Sequence, residues 1–89
     1  MHEHPERFKR EEVYEMTKAL CEKDPEDAAS LWRFARAAYG VTEIPETPFD
    51  RKKILMQDAL KSIKESIRVD SNNNDSRRWY GIILSGMGD

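Results

Sequence analysis

Two places along this 89-residue chain carry side chains of the kind that do chemistry. Cys21 lies one helical turn after Lys18, whose ammonium group would lower the pKa of the thiol, but no histidine is near enough in sequence to act as its base. His2 and His4 flank Glu3 at the amino end, where a pair of histidines without a third ordered ligand is usually a solvated tail. The sequence therefore predicts no enzyme, no catalytic residue, no metal site and no cofactor.

A second group of side chains is suited to binding rather than to catalysis. Arginine holds carboxylates through two parallel hydrogen bonds, and aromatic rings supply rigid apolar area, so the two together are typical of a surface for acidic peptides. The residues that we predict to face such a groove are Trp32, Arg33, Arg36, Tyr39, Arg77 and Tyr80. In the alternative interpretation, Trp32 is half-buried, and Arg33 and Arg36 merely pair with Glu26 or Asp27.

A secondary basic cluster consists of Arg51, Lys52 and Lys53. We interpret it as carried by an unusually long loop, and long loops are often functional, so the cluster is our second candidate for a partner contact. Nearby acids, such as Asp50 and Asp58, are equally typical of a solvated helix end. No zinc-ligand spacing or glycine-rich phosphate loop is present, and the net charge is −2, so we predict no nucleic-acid binding.

Composition limits the class of protein. The apolar fraction is 38% and the charged fraction is 36%, which fits helices with well-solvated outer faces. A single cysteine excludes an internal disulfide and is typical of a reducing compartment. No apolar run approaches the ~20 residues of a membrane span, and the charged amino end is not a signal peptide. We therefore expect a soluble chain without a membrane span.

The first two elements are predicted to be helices separated by a break at Asp24 and Pro25. The first runs from about Glu6 to Lys23, after a flexible start over residues 1–5. Its predicted buried face has a spacing of three and four residues and consists of Val13, Met16, Thr17 and Leu20. The second helix is expected to begin with Asp24 as its N-cap, to end near Tyr39, and to have Gly40 as its C-terminal cap.

Two further helices follow a predicted loop over residues 41–47. Thr47 is expected to be the N-cap of a third helix that begins at Pro48 or Phe49 and ends at Val69. The run Asp70-Ser71-Asn72-Asn73-Asn74 then breaks the chain, because these side chains bond to nearby backbone groups. A fourth helix begins near Asp75.

Small and large apolar residues recur in register between the second and fourth helices. The first set is Leu31, Phe34, Ala35 and Ala38, and the second is Trp79, Ile82, Ile83 and Gly86. Such sets pack neighbouring helices closely, as in tetratricopeptide repeats, although the loop makes this repeat roughly a dozen residues longer than the usual ~34. We predict an all-α fold of about four helices in tetratricopeptide-like hairpins, over residues 6–89. We expect the chain to be a truncated piece, the amino-terminal part of a longer and degenerate repeat array.

Three stretches together resemble the regulator of microtubule dynamics family. They are Leu31-Trp32-Arg33-Phe34-Ala35-Arg36-Ala37, Ala59-Leu60 through Val69-Asp70, and Ser76 through Ser85. The resemblance implies a tetratricopeptide-like domain in a cytoplasmic protein of the cytoskeleton, associated with microtubules and the spindle. It also implies that the acidic partner of the groove is a tail of tubulin or a spindle protein.

Two other functions remain open at this point. Some relatives bind lipid at membrane contacts, so the resemblance also allows a lipid-binding, membrane-contact domain, and helical repeats in general serve as peptide-binding scaffolds. Because the fourth helix has no follower to cover Trp79, Ile82 and Ile83, we further expect self-association through this carboxy-terminal helix.

Overall fold

The computed structural model describes the backbone of residues 5–87 and the side chains of residues 8–86. The predictions made for His2, Glu3 and His4 lie outside the described residues, as do residues 88–89, and Pro5 begins the first helix rather than belonging to a separate start. The described chain is entirely helical apart from short connections, which confirms the all-α prediction. The helices are α1 (Pro5–Lys23), α2 (Ala28–Thr42), α3 (Phe49–Val69) and α4 (Asn74–Met87).

Helix α2 is the centre of the arrangement, because α1, α3 and α4 all pack against it. Helices α2 and α3 form the most extensive pair, and α4 packs on both of them. In the described part of the chain, the backbone of α1 comes close to that of α2 and of no other helix. This is a stack of hairpins in which α2 and α4, the corresponding helices of successive pairs, are neighbours, as the repeat in the sequence predicts.

The core joins alanines to large aliphatic side chains. Ala35 and Ala38 on α2 and Ala59 on α3 have no exposed surface, so the helix backbones approach closely at these positions. Ile63 on α3 and Ile83 on α4 are also completely buried and fill the space between the helices. Small residues on one helix therefore meet large residues on the next, as predicted from the recurring sets.

Buried serine hydroxyls link three of the helices through hydrogen bonds. Ser66 on α3 donates to the carbonyl oxygen of Ala28 at 2.8 Å, and its Oγ lies 2.6 Å from Oγ of Ser76 on α4. Ser62, one turn earlier on α3, donates to the carbonyl oxygen of Leu31 at 2.9 Å. Because Ser66 directs its single proton to Ala28, Ser76 is the donor in their mutual bond. All of these buried polar atoms are thereby satisfied.

We expect Ser66→Ala to destabilise the domain by about 1–3 kcal/mol, because the Ser76 hydroxyl and the Ala28 carbonyl then stay buried without their partner. Urea unfolding followed by circular dichroism measures this change. Ser85→Ala, at an exposed position on α4, is the control and should change the free energy of unfolding by less than about 0.5 kcal/mol. Equal midpoints for the two variants would contradict the role assigned to Ser66.

The predicted inner face of α1 is wrong by a rotation of about one residue. Tyr14 and Thr17 are each only 8% exposed, whereas Val13, Met16 and Leu20 are 47%, 59% and 47% exposed. The ring of Tyr14 stacks on Phe34 of α2, with 5.4 Å between the ring centroids. Burial of two aromatic rings outweighs burial of the aliphatic stripe, so only Thr17 of the predicted face is buried.

The predicted ends of α2 are also wrong, for reasons of local hydrogen bonding. Asp27, and not Asp24, is the N-cap: its carboxylate accepts from the backbone N–H of Ala29 at 3.2 Å and from the hydroxyl of Ser30 at 2.8 Å. Asp24 instead lies in the turn between α1 and α2, and its carboxylate stabilises that turn. At the other end the helix continues through Gly40 to Thr42, and Gly40 does not adopt a positive φ.

The bounds of α3 are as predicted, but its first residue is not capped by Thr47. The Thr47 hydroxyl is buried and donates to the carbonyl oxygen of Val41 at 2.9 Å, which fixes the connection from α2. The N-cap position belongs to Pro48, which forms no side-chain cap. The connection between α2 and α3 is therefore short and held in place.

Candidate functional site

A groove of about 650 Å³ lies along the side of α2 that faces away from α3. Helix α2 forms its floor, and α1 and α4 form its walls. Lys9, Arg10, Val13 and Thr17 line it from α1; Arg33, Arg36, Ala37, Tyr39 and Gly40 from α2; Glu43 from the following turn; and Trp79 from α4. It is open to solvent and combines cationic and apolar side chains.

Arg33 and Arg36 are exposed, lie one turn apart on α2, and each rests near an indole ring. The guanidinium carbon of Arg33 lies 5.6 Å from the ring centroid of Trp32, and that of Arg36 lies 5.8 Å from that of Trp79. Tyr39 meets Trp79 edge-on at 6.0 Å. Such cation–π contacts restrict the guanidinium groups while leaving their N–H donors available to a ligand.

Neither arginine forms an ion pair with any side chain in residues 8–86. The acids proposed as their partners have other roles in the structure. Glu26 accepts a hydrogen bond from Arg68 at 2.9 Å, and Asp27 caps α2. Two positive charges therefore face the groove without an ion pair among these residues, and the one acid in the lining, Glu43, lies beside Arg10.

The structure brings together only part of the predicted site. Arg33, Arg36 and Tyr39 line the groove. Trp32 is half-buried against the core and contributes only through its contact with Arg33. The remaining two predicted residues, Arg77 and Tyr80, lie on α4 outside the lining, the first exposed and the second half-buried.

Sequence reasoning missed the wall that α1 supplies, and it placed Trp79 in the core alone. Trp79 is half-buried and also lines the groove beside Arg36. From α1, Arg10 donates to the carbonyl oxygen of Gly40 at 2.8 Å and lies 3.7 Å from the Glu43 carboxylate, which ties this wall to the floor. The sequence contained a sign of this wall, because Lys9 and Val13 lie one turn apart on α1 and therefore on the same face of the helix.

The secondary basic cluster lies in the first turns of α3, and not in a loop as its prediction assumed. Arg51 forms two hydrogen bonds with Glu11 of α1, at 2.5 and 2.7 Å, and these bonds are the main cause of a raised pKa for Arg51. Its charge therefore connects α1 to α3. Lys52 is half-buried and Lys53 is exposed.

The structure offers no activated nucleophile at Cys21. Its thiol donates to the carbonyl oxygen of Ser30 at 3.2 Å, and its pKa is raised by burial first and then by the carboxylates of Asp27 and Glu22. The expectation that Lys18 lowers this pKa is wrong. Within the described residues, no cluster of three potential metal ligands exists, and no helix is long and apolar enough to cross a membrane.

The sequence profile of the family described as "Regulator of microtubule dynamics protein 1-3" matches residues 1–89. This chain belongs to that family. Among its relatives, "Regulator of microtubule dynamics protein 1" of Pongo abelii is 34% identical over 95 residues, covering 91% of this chain and 30% of the relative. The protein of the same name in Mus musculus is 33% identical over 67 residues, covering 75% and 22%.

The family member of Homo sapiens is 36% identical over 58 residues, which is 65% of this chain and 18% of the human protein. The chain thus spans less than a third of the length of these relatives. No solved structure matches it. The similarity nevertheless extends over all four helices in the family profile, so the groove lies entirely within the family region.

Proposed function

We propose that this chain is an interaction module that takes part in regulating microtubule dynamics by binding acidic peptide segments in the groove. The acidic carboxy-terminal tails of tubulin are the first candidate, and an acidic segment of a spindle partner is the second. The observation that carries the proposal is the pair Arg33 and Arg36, exposed, without ion pairs in residues 8–86, and placed beside Trp32 and Trp79. The protein would then act on the cytoskeleton in the cytoplasm.

The physical basis is the pre-ordering of the two guanidinium groups. An exposed ion pair contributes only ~0–1 kcal/mol, partly because two mobile side chains must be fixed. Here the indole rings restrict the arginines before a ligand arrives, so less side-chain entropy is lost on binding. Several such contacts together, including one with Lys9 on the wall formed by α1, give a binding free energy that weakens as salt screens the charges.

The names of the relatives support this choice of partner. Proteins called regulator of microtubule dynamics are similar in sequence to this chain. The microtubule surface carries flexible acidic tails. Lipid binding, the alternative, requires an enclosed apolar cavity. The groove is open and has cations on two of its sides, which favours a charged peptide over a lipid chain.

Co-sedimentation with taxol-stabilised microtubules tests the proposal. We expect the chain to pellet with microtubules at low ionic strength and to be released as salt increases, because exposed charges separated by about 8–10 Å or more are screened at physiological salt. Microtubules whose acidic tails have been removed by proteolysis are the matched control, and we expect little pelleting with them. The absence of pelleting at low salt contradicts the proposal, and undiminished pelleting without tails indicates a scaffold for some other part of tubulin.

A further inference from the structure

Helix α1 carries an apolar ridge that the fold leaves exposed, formed by Val13, Met16 and Leu20. The three residues are separated by three and four positions, so their side chains lie on one face of the helix. Single exposed apolar residues are ordinary, but a continuous strip of them marks a surface that binds something. The aromatic contact between Tyr14 and Phe34 keeps the ridge out of the core.

The ridge borders the groove. Val13 lines the groove directly, and Met16 and Leu20 continue along the same side of α1. Exposed lysines lie at both ends of the strip, with Lys9 one turn before Val13 and Lys23 three residues after Leu20. The two arginines of α2 line the groove next to this ridge.

We infer that the ridge and the groove together bind an acidic amphipathic helix of about three turns. One face of this helix places apolar side chains on Val13, Met16 and Leu20, and its acidic flank lies against Arg33 and Arg36. The stretch from Lys9 to Leu20 extends over roughly 16 Å at 1.5 Å per residue, which is the length of such a helix. This inference rests on the proposed function, and it specifies the form of the acidic segment that the groove prefers.

Charge argues against a second copy of this chain as the occupant. If two α1 helices paired in antiparallel fashion about Met16, Lys9 of each copy would face Lys23 of the other. A parallel pair would place each lysine opposite its own equivalent. Like charges would therefore meet at both ends of the ridge, whereas an acidic partner helix finds opposite charges there and along the groove.

Fluorescence anisotropy with three labelled peptides tests the inference. The first peptide is acidic with leucines at helical spacing, the second has the same composition with the leucines dispersed around the helix, and the third is polyglutamate. We expect the first to bind about tenfold more tightly than the second. The double variant Met16→Ser and Leu20→Ser should bring the first peptide to the affinity of the second and leave polyglutamate binding unchanged.

The exposed Phe49 on α3 provides a matched control, since Phe49→Ser removes a large apolar side chain from a helix that does not line the groove and should change none of the three affinities. Circular dichroism verifies that both variants remain folded. If the first two peptides bind equally while polyglutamate binds, the inference is wrong and the proposed function stands. If none binds, both are wrong. Light scattering that shows a dimer abolished by the ridge variant would overturn the inference in favour of a second copy.

Discussion

Replacing Arg33 and Arg36 together by glutamate is expected to abolish the proposed binding of acidic peptides and of tubulin tails to the groove. The two positive charges become two negative ones where the ligand places its carboxylates, and like charges held together across an interface cost several kcal/mol. We expect affinity to fall roughly a hundredfold or more. The fold should be unaffected, because both side chains are exposed and form no ion pair in residues 8–86.

A matched control separates this effect from a general change in charge. Lys61→Glu with Lys64→Glu changes the net charge by the same amount, at exposed positions of α3 outside the groove lining. Anisotropy and co-sedimentation at low salt should show binding close to that of the original chain for the control pair, with only a small loss from weaker long-range attraction. Equal losses in the two variants would contradict the groove as the binding site.

Ile63→Ala is expected to have the largest effect on stability. Ile63 is completely buried within the core that α2, α3 and α4 share, so the substitution removes buried apolar surface and leaves a cavity. Such substitutions cost about 2–5 kcal/mol, and whole domains are stable by only ~5–15 kcal/mol. A chain this short lies toward the lower end of that range, because small domains bury less of their surface.

The same helix offers a control of identical chemistry. Ile54, also on α3, is 58% exposed, and Ile54→Ala should change the free energy of unfolding by less than about 0.5 kcal/mol. Urea denaturation followed by the fluorescence of Trp32 and Trp79 measures both variants. Similar shifts of the midpoint for the two variants would mean that the core is not where the structure places it.

Features of the fold that depend on local chemistry could be predicted from the sequence. The bounds of α3 were predicted correctly because Pro48 begins a helix readily and the Asp70–Asn74 run ends one. The burial of Ala35 and Ala38 was predicted because alanines beside large residues indicate close helix packing. Each of these features depends on residues that are neighbours along the chain.

The inner face of α1 depends instead on a contact between distant residues. Two overlapping faces have helical spacing: one contains Val13, Met16 and Leu20, and the other contains Tyr14, Thr17 and Cys21. Periodicity does not distinguish them. The structure selects the second face through the contact of Tyr14 with Phe34, which no local pattern reveals.

The candidate site also combines features that depend on neighbouring residues with features that depend on contacts between distant ones. The exposure of Arg33 and Arg36 was predicted from the sequence because both residues lie off the apolar stripe of their own helix. The position of Trp79 beside Arg36 and the wall formed by α1 arise only when separate helices meet, so they were not predicted. The same is true of Arg51, whose bond to Glu11 spans forty positions of the chain.

The helices that line the groove are not attached equally firmly to the rest of the domain. Two of its sides belong to α2 and α4. The third belongs to α1, which contributes Tyr14 to the core, lies close to the backbone of α2 alone within the described residues, and is braced by the Glu11–Arg51 bridge to α3. Undocking of α1 exposes far less apolar surface than unfolding of the whole domain, so it requires less free energy. Under the proposed function, the fraction of molecules competent to bind an acidic segment would therefore depend on how firmly α1 is docked.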